Sequence, residues 1–186
     1  MPFTPLQTER LTLRGYTPSD IPALVPLIGA REVAATTLRI PHPYTEALAR
    51  DFVALAQEDL TSGKCLRLGI FLSRTDKLCG GIGLMIDADH RHAELGYWIG
   101  VPYWRNGYAT EAARALVNYG FTVLGLHRIY ASHYSSNPAS GNVLKKIGMG
   151  YEGCMRAHVL KWGEFLDVEL YGLLACDAPH AEHASA

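Results

Sequence analysis

The residues best suited to chemistry lie in one stretch, 93–112, where a predicted strand leads through a proline and a glycine into a predicted helix. Glu94 is in the strand, where a carboxylate is costly to bury without a partner or a role. The loop and the first helical turn comprise Arg105, Asn106, Gly107, Tyr108, Ala109 and Thr110. A helix start leaves backbone N–H groups unpaired and partly positive, so this loop is predicted to bind a pyrophosphate. The alternative is an ordinary strand-to-helix turn.

The strand itself predicts a gap in a sheet. Its residues alternate in type, so Leu95, Tyr97 and Ile99 share one face and Glu94 lies on the other. Pro102 has no amide hydrogen, so a ladder of hydrogen bonds cannot continue through it. We therefore expect the neighbouring strand to splay away at this point.

The elements that position this stretch follow from local periodicity. Strands are predicted over 8–14, 66–72, 78–86, 93–99, 128–134, 150–157 and 165–174. Helices are predicted over 21–28, 46–60, 109–124 and 141–147. The predicted class is α+β, a mixed, mostly antiparallel seven-stranded sheet with helices on both faces. We expect one domain over 1–174 and a disordered tail over 175–186.

Composition excludes several classes of protein. The chain has 186 residues, of which 48% are hydrophobic and 19% charged, and its net charge is −1. It therefore has no general attraction for nucleic acid or for an anionic membrane. The lack of a signal-peptide pattern or a membrane-length apolar run predicts a cytoplasmic protein. The four cysteines have no metal-ligand spacing, so we expect buried free thiols and no metal site.

The order of these motifs resembles the GNAT superfamily of acyl-CoA-dependent N-acetyltransferases over residues 6–174. The motifs that carry the resemblance are WRNGYATEA at 104–112 and NPASGNVLKKIGM at 137–149. The chain is more narrowly similar to the ribosomal-protein N-terminal acetyltransferase-like branch, whose features also match at 8–11, 93–98 and 151–153. The resemblance implies a sheet splayed between the fourth and fifth predicted strands, with acetyl-CoA as co-substrate.

The resemblance also implies how acetyl-CoA would be held. The pyrophosphate would rest on the loop at 105–110, and the pantetheine arm would lie in the gap, bonded like an added strand to Ile99 and Val101. Asn137 would meet this arm from the opposite side, and Asn142 is a weaker candidate for a similar contact. The alternative for Asn137 is a helix cap before Pro138.

Two side chains are candidates for proton transfer. Glu94 is predicted to accept the proton of the attacking amine, directly or through water. Its alternative is a salt bridge to one of three arginines, Arg67, Arg91 or Arg128. Many GNAT members place a tyrosine acid in the helix after the asparagine, but this chain has Leu144 there. Ser140 is at the place where the similar branch carries a serine, so the resemblance implies that Ser140 is the proton donor to the thiolate. Its alternative is helix capping.

We therefore expect transfer of an acetyl group to a primary amine, with a protein N-terminal α-amine favoured. The alternatives are a small amine such as a polyamine, amino acid or antibiotic, or a non-catalytic acyl-CoA-binding domain. A dinucleotide oxidoreductase is rejected because no GxGxxG fingerprint is present. The expected partners are acyl-CoA and the amine, without nucleic acid or membrane. Apolar strand edges suggest a homodimer.

Overall fold

The computed structural model describes residues 3–178, which form one mixed sheet flanked by helices. The strands are β1 Leu6–Gln7, β2 Leu11–Gly15, β3 Cys65–Leu72, β4 Lys77–Asp87, β5 His92–Ile99, β6 Arg128–Tyr134, β7 Gly150–Lys161 and β8 Glu164–Leu174. The helices are α1 Ile21–Ile28, α2 Arg31–Ala35, α3 Glu46–Ser62, α4 Tyr108–Thr122 and α5 Pro138–Lys146. The strand order across the sheet is β1-β2-β3-β4-β5-β6-β8-β7.

The predicted fold class is confirmed, but in the described part of the chain the sheet has eight strands and not seven. The strand predicted over 8–14 begins only at Leu11, and the additional strand β1 precedes it. A tight turn separates the two and is closed when the amide of Thr8 donates to the carbonyl of Leu11 (2.9 Å). Helix α2 was not predicted. Helix α5 begins at Pro138, three residues earlier than predicted, because Asn137 caps it.

The gap in the sheet lies where it was predicted. Strands β5 and β6 are parallel neighbours that pair only at His92–Arg128, Ala93–Ile129 and Glu94–Tyr130. Beyond Glu94 the two strands separate, while β5 continues to pair with β4 on its other edge. Strand β5 therefore presents an open edge from residue 95 onward, and parallel backbone groups there are available to a ligand.

Two hydrophobic cores hold the sheet, one on each face. Helices α4 and α5 cover the first, which includes the fully buried Leu84 and Ile129, and the side chain of Tyr97 packs against it. Helices α1 and α3 cover the second, which includes Leu24 and is joined by Trp98. Successive residues of β5 therefore face different layers of the molecule.

The predictions on the cysteines and on the C-terminal tail are confirmed only in part. Cys65 and Cys79 are buried free thiols as predicted, but Cys154 and Cys176 are exposed. Residues 175–178 form a turn in which the amide of Ala175 donates to the carbonyl of His127 (3.0 Å). The rest of the predicted tail, 179–186, lies outside the described residues. Within residues 3–178, no helix combines the length and the apolar character that a membrane span requires.

Candidate active site

A cleft of about 1200 Å³ passes through the gap between β5 and β6. Its lining contains every residue predicted for the site except Val101 and Asn106. The members of that set are Glu94, Ile99, Arg105, Gly107, Tyr108, Ala109, Thr110, Asn137, Ser140 and Asn142. The fold thus brings together residues that are up to 48 positions apart in the chain, from Glu94 to Asn142.

The predicted anion loop has the backbone shape of a helix start. Gly107 adopts φ +79° and Arg105 adopts φ +63°, both in the left-handed region that glycine tolerates best. The first amide of α4 with a helical acceptor is that of Glu111, which donates to the carbonyl of Gly107 (3.1 Å). The preceding amides at 108–110 have no acceptor within the helix and border the cleft. The geometry therefore suits a phosphate group.

Three residues predicted to contact acetyl-CoA at the end of β5 and in the loop have partners within the protein. The indole of Trp104 donates to the carbonyl of Ile99 (2.6 Å), so that oxygen has one lone pair left for a ligand. The side-chain amide of Asn106 donates to the carbonyls of Tyr103 (3.1 Å) and Trp104 (3.0 Å). Asn106 therefore shapes the loop from within, and the carbonyl of Val101 accepts from the amide of Trp104 (3.2 Å).

The loop is braced from the N-terminal strands by Arg10 and Glu111. The carboxylate of Glu111 accepts from the hydroxyl of Thr8 (2.6 Å), the amide of Arg10 (2.9 Å) and the guanidinium of Arg10 (2.7 Å). The same guanidinium donates to the carbonyl of Asn106 (3.1 Å) and lies over the ring of Tyr108, 5.0 Å from its centroid. The Thr8–Arg10 segment therefore fixes both the loop and the first turn of α4.

This contact shifts the pKa of Glu111. Burial acts to raise the pKa, but the hydrogen bonds from Thr8 and Arg10 outweigh it and hold the pKa below its ordinary value. The hydrogen bond to Glu111 raises the pKa of the Arg10 guanidinium in turn. Glu111 is thus ionised at neutral pH, and a carboxylate in the first turn also suits the positive end of the helix.

On the opposite wall, the start of α5 is joined to β5. Asn137 caps the helix by accepting from the amide of Ser140 (3.4 Å), so the capping interpretation of Asn137 is confirmed alongside its place in the cleft. The hydroxyl of Tyr97 lies 2.7 Å from the Oγ of Ser140 and donates to the carbonyl of Ser140 (3.1 Å). The side chain of Ser140 is therefore held by a tyrosine from the splayed part of β5.

Glu94 is at the last paired position before the gap and is joined to Arg39. The guanidinium of Arg39 lies 3.2 Å from the carboxylate, and the side chains are 61% and 25% exposed, respectively. The arginines predicted as alternatives bind elsewhere: Arg67 pairs with Asp59, Arg128 pairs with Glu152, and Arg91 donates to the carbonyl of Gly125. Those three salt-bridge predictions were wrong, because a loop 55 residues earlier supplies the partner.

The face of the sheet that carries Glu94 has a floor of glycines. Gly83 of β4 pairs with Gly96 of β5, and a methyl group added at Gly96 would have no neighbour within 4 Å. Two residue pairs further along, on the same face, Gly81 lies beneath Trp98 and the hydroxyl of Tyr16. The Tyr16 side chain is 2% exposed, and its hydroxyl has no hydrogen-bond partner within the described residues. The floor leaves room for a second ligand beside Glu94.

The charge around the cleft is divided between its two ends. Arg105 lies beside the start of α4, where an anionic group would lie, and Lys146, in the last turn of α5, also borders the cleft. Glu94 lies on the glycine floor, and burial followed by the charge of Glu94 raises the pKa of the neighbouring Tyr130. Within residues 3–178, no group of three His, Cys, Asp or Glu side chains is arranged to hold a metal ion.

The comparisons with known proteins agree with this geometry. A model of the acetyltransferase (GNAT) domain matches residues 10–150. The uncharacterized N-acetyltransferase YoaA of Bacillus subtilis (strain 168) is 36% identical over 176 residues, which cover 92% of this chain and 97% of YoaA. The crystal structure of a GNAT-family acetyltransferase from Bacillus anthracis is 28% identical with a TM-score of 0.81, and the match covers 92% of this chain and 99% of that one.

A more distant structure shares the fold. The ribosomal L7/L12 α-N-protein acetyltransferase RimL, in complex with coenzyme A, has a TM-score of 0.84 at 19% identity, and the match covers 92% of this chain and 98% of RimL. At that identity the likeness concerns the fold alone. The family-model match and the relatives show that the chain belongs to the GNAT acetyltransferases, and it is an acetyl-CoA-dependent N-acetyltransferase.

Sequence reasoning did not find four side chains that organise this site. They are Arg10, Arg39, Tyr97 and Glu111. Arg10, Tyr97 and Glu111 were noted only as parts of matching motifs, and Arg39 had no local pattern that distinguished it from structural residues. The alternation along β5 did place Tyr97 on the face opposite Glu94, which is the one signal that was available.

Proposed function

We propose that the protein transfers the acetyl group of acetyl-CoA to a primary amine by direct attack on the thioester, with a protein N-terminal α-amine as the favoured acceptor. The observation that carries this proposal is the position of Glu94. It is the last residue of β5 that pairs with β6, and it borders the open cleft on the glycine floor. The amine would approach from this floor, while acetyl-CoA enters along the splayed edge of β5.

Glu94 is proposed as the base. The amine must be neutral when it attacks, so a carboxylate next to the gap accepts its proton, directly or through water. In the structure the carboxylate of Glu94 is paired with the guanidinium of Arg39, 3.2 Å away. Because the Arg39 side chain is 61% exposed, an incoming cationic amine can replace it at little cost.

Acetyl-CoA supplies the activated acyl group, and the chain supplies the means to hold and orient it. Arg105 and the amides of residues 107–110 would bind the pyrophosphate, and Ile99 and Val101 would bond to the pantetheine arm. Asn137 and Asn142 border the same path. The hydroxyl of Ser140 would donate to the sulfur as negative charge develops there.

The charges on the acceptor side favour an amine with a single positive charge. The acidic residues that line the cleft are Asp51 and Glu94, and Arg39 and Arg67 lie on the same side. A polyamine carries several cationic groups, and each would need a carboxylate of its own. A protein N-terminus presents one cationic amine followed by an uncharged backbone, which the open glycine floor accommodates.

The test is a coenzyme A release assay with matched acceptors. A short peptide with a free N-terminus is compared with the same peptide blocked at its N-terminus but carrying an internal lysine, and with spermidine. The proposal predicts thiol release with the free N-terminus and little with the other two. Release with spermidine alone would overturn the preferred acceptor, and release with none would overturn the proposed reaction.

A further inference from the structure

The strongest unassigned feature of the cleft is the hydroxyl pair formed by Tyr97 and Ser140. Tyr97 is the third residue beyond the last β5–β6 pair, and Ser140 is in the first turn of α5, 43 positions later. Both side chains border the cleft. The two oxygens are 2.7 Å apart, which is the usual length of a hydroxyl–hydroxyl hydrogen bond.

We propose that Tyr97 is a positioning residue for acetyl transfer, because its hydroxyl donates to Ser140 and leaves the serine proton free to be donated toward the sulfur of acetyl-CoA. This inference rests on the proposed function. Tyr97 is not proposed to contact the substrate, and its effect acts through Ser140.

Two contacts and two protons allow two arrangements of this pair. Each hydroxyl has one proton, and the carbonyl of Ser140, 3.1 Å from the Tyr97 hydroxyl, can only accept. When Tyr97 donates to the Oγ of Ser140, the shorter of the two contacts, the serine proton cannot point at Tyr97. It then points elsewhere in the cleft. When Tyr97 donates to the carbonyl, the serine hydroxyl can donate to Tyr97 and both contacts are hydrogen bonds. This arrangement belongs to the protein without acetyl-CoA, and the first one forms when the sulfur is present to accept from Ser140.

The environment of Tyr97 keeps its hydroxyl protonated, so that it donates a hydrogen bond and does not transfer its proton. Burial raises the pKa of Tyr97 to about 12, although the hydrogen bond with Ser140 acts in the opposite direction. The phenol therefore remains protonated at neutral pH. A thiol has a pKa of about 8.5, so a thiolate does not take the proton from this tyrosine.

The protons in the transfer step then balance without a covalent change at either hydroxyl. The amine nitrogen forms a bond to the acyl carbon, the carbon–sulfur bond breaks, and the amine proton passes to Glu94. The sulfur leaves as a thiolate that accepts a hydrogen bond from Ser140, while Ser140 accepts one from Tyr97. Each hydroxyl keeps its own proton, and the thiolate is protonated by solvent after release.

The experiment is a double-mutant cycle on the full-length protein with Tyr97→Phe and Ser140→Ala. Loss of the hydrogen bond that orients the Ser140 hydroxyl predicts a fall in kcat of about tenfold for Tyr97→Phe, with KM for acetyl-CoA within about twofold of wild type. In the Ser140→Ala background, Tyr97→Phe is expected to leave kcat unchanged, because the residue through which it acts is absent.

Two further variants separate positioning from simple packing. Tyr119→Phe removes the hydroxyl of another partly buried tyrosine that packs on the same core, and it is expected to match wild type. Ser140→Thr restores a hydroxyl and is expected to restore the tenfold sensitivity to Tyr97→Phe. If Tyr97 had only a packing role, Tyr97→Phe would lower the midpoint of thermal unfolding by the same amount in every background. Its effect on kcat would then not depend on the residue at position 140.

The outcomes are distinct. An equal kcat for Tyr97→Phe and Tyr119→Phe, or a tenfold loss from Tyr97→Phe that persists in Ser140→Ala, overturns the inference while leaving the proposed function intact. Wild-type protein that releases no coenzyme A with any amine refutes the proposed function and this inference together.

Discussion

The contact between Glu111 and the Thr8–Arg10 segment gives a prediction that can be worked out from the structure. The perturbation is Glu111→Gln, which keeps the size of the side chain and removes its charge. The carboxylate accepts from the Thr8 hydroxyl, the Arg10 amide and the Arg10 guanidinium. The side-chain amide of the glutamine has only one oxygen that can accept. Its NH₂ group would face the donors of Thr8 or Arg10, so at least one of these three hydrogen bonds is lost.

The expected magnitude follows from burial. A hydrogen bond to a charged group contributes about 1.5–3 kcal/mol to the free energy of unfolding, whereas an exposed ion pair contributes about 1 kcal/mol or less. The side chain of Glu111 is 17% exposed and that of Arg10 is 45% exposed, so the fixed bonds from Thr8 and the Arg10 amide dominate. We expect Glu111→Gln to lower the free energy of unfolding by about 2 kcal/mol, or about 4–8 °C in the midpoint of thermal unfolding.

The assay is denaturant unfolding at pH 7 and again at decreasing pH. Because the pKa of Glu111 is lower in the folded protein than in the unfolded chain, its stabilisation is complete at neutral pH. The stabilisation is lost as the pH falls below the ordinary value of about 4.3 and through the lower folded value. The difference between wild type and Glu111→Gln is therefore expected to shrink in that window.

The matched control is Glu46→Gln. Glu46 is also in the first turn of a helix and pairs with an arginine, Arg50, but the two side chains are 63% and 69% exposed. We expect a loss of about 0.5 kcal/mol or less. Equal losses for the two variants, or a loss for Glu111→Gln that persists unchanged at low pH, would refute the reasoning.

Three further variants test other parts of the site. Glu94→Gln should lower kcat by about a hundredfold at unchanged acetyl-CoA affinity, because the proposed base is lost, and the exposed Glu58→Gln should not lower it. Equal kcat for the two variants in the coenzyme A release assay would count against a base at position 94. Gly107→Ala should lower the free energy of unfolding by about 1–2 kcal/mol, because residue 107 has φ +79°, and should weaken acetyl-CoA binding as measured by titration calorimetry. Gly125→Ala, at φ +63°, should lower the free energy of unfolding by the same amount and leave binding unchanged. Gly96→Val should keep the free energy of unfolding within about 0.5 kcal/mol of wild type, because the added side chain enters open space on the glycine floor. It should raise KM for the amine about tenfold, and an unchanged KM would show that the amine binds elsewhere.

Much of the fold was predictable because it depends on local patterns. The alternation along 93–99, the block at Pro102 and the glycine at 107 are enough to predict the splayed edge and the loop that begins α4. The extra strand β1 was missed because it has only two residues, Leu6 and Gln7, which are too few to show alternation. Strand β2 begins at Leu11 and not at residue 8 because the hydroxyl of Thr8 accepts from the amide of Leu11 (3.0 Å) in a turn, which periodicity does not report.

The contacts that organise the site were not predictable in the same way. Glu94 meets Arg39 from 55 positions away, and Arg10 meets Glu111 from 101 positions away. Charged residues of either sign are common on any surface, so sequence offers many partners for each and no geometry to choose between them. The register of the strands and the path of the loop before α3 determine which charged residues come into contact.

We propose that acetyl transfer to an amine takes place in the cleft between β5 and β6. The most direct measurement is mass spectrometry of a peptide with a free N-terminus after incubation with acetyl-CoA, together with the amount of coenzyme A thiol released. We predict one acetyl group on the α-amine for each thiol, and loss of both signals in Glu94→Gln. A protein that binds acetyl-CoA yet leaves every peptide and small amine unmodified would contradict the claim.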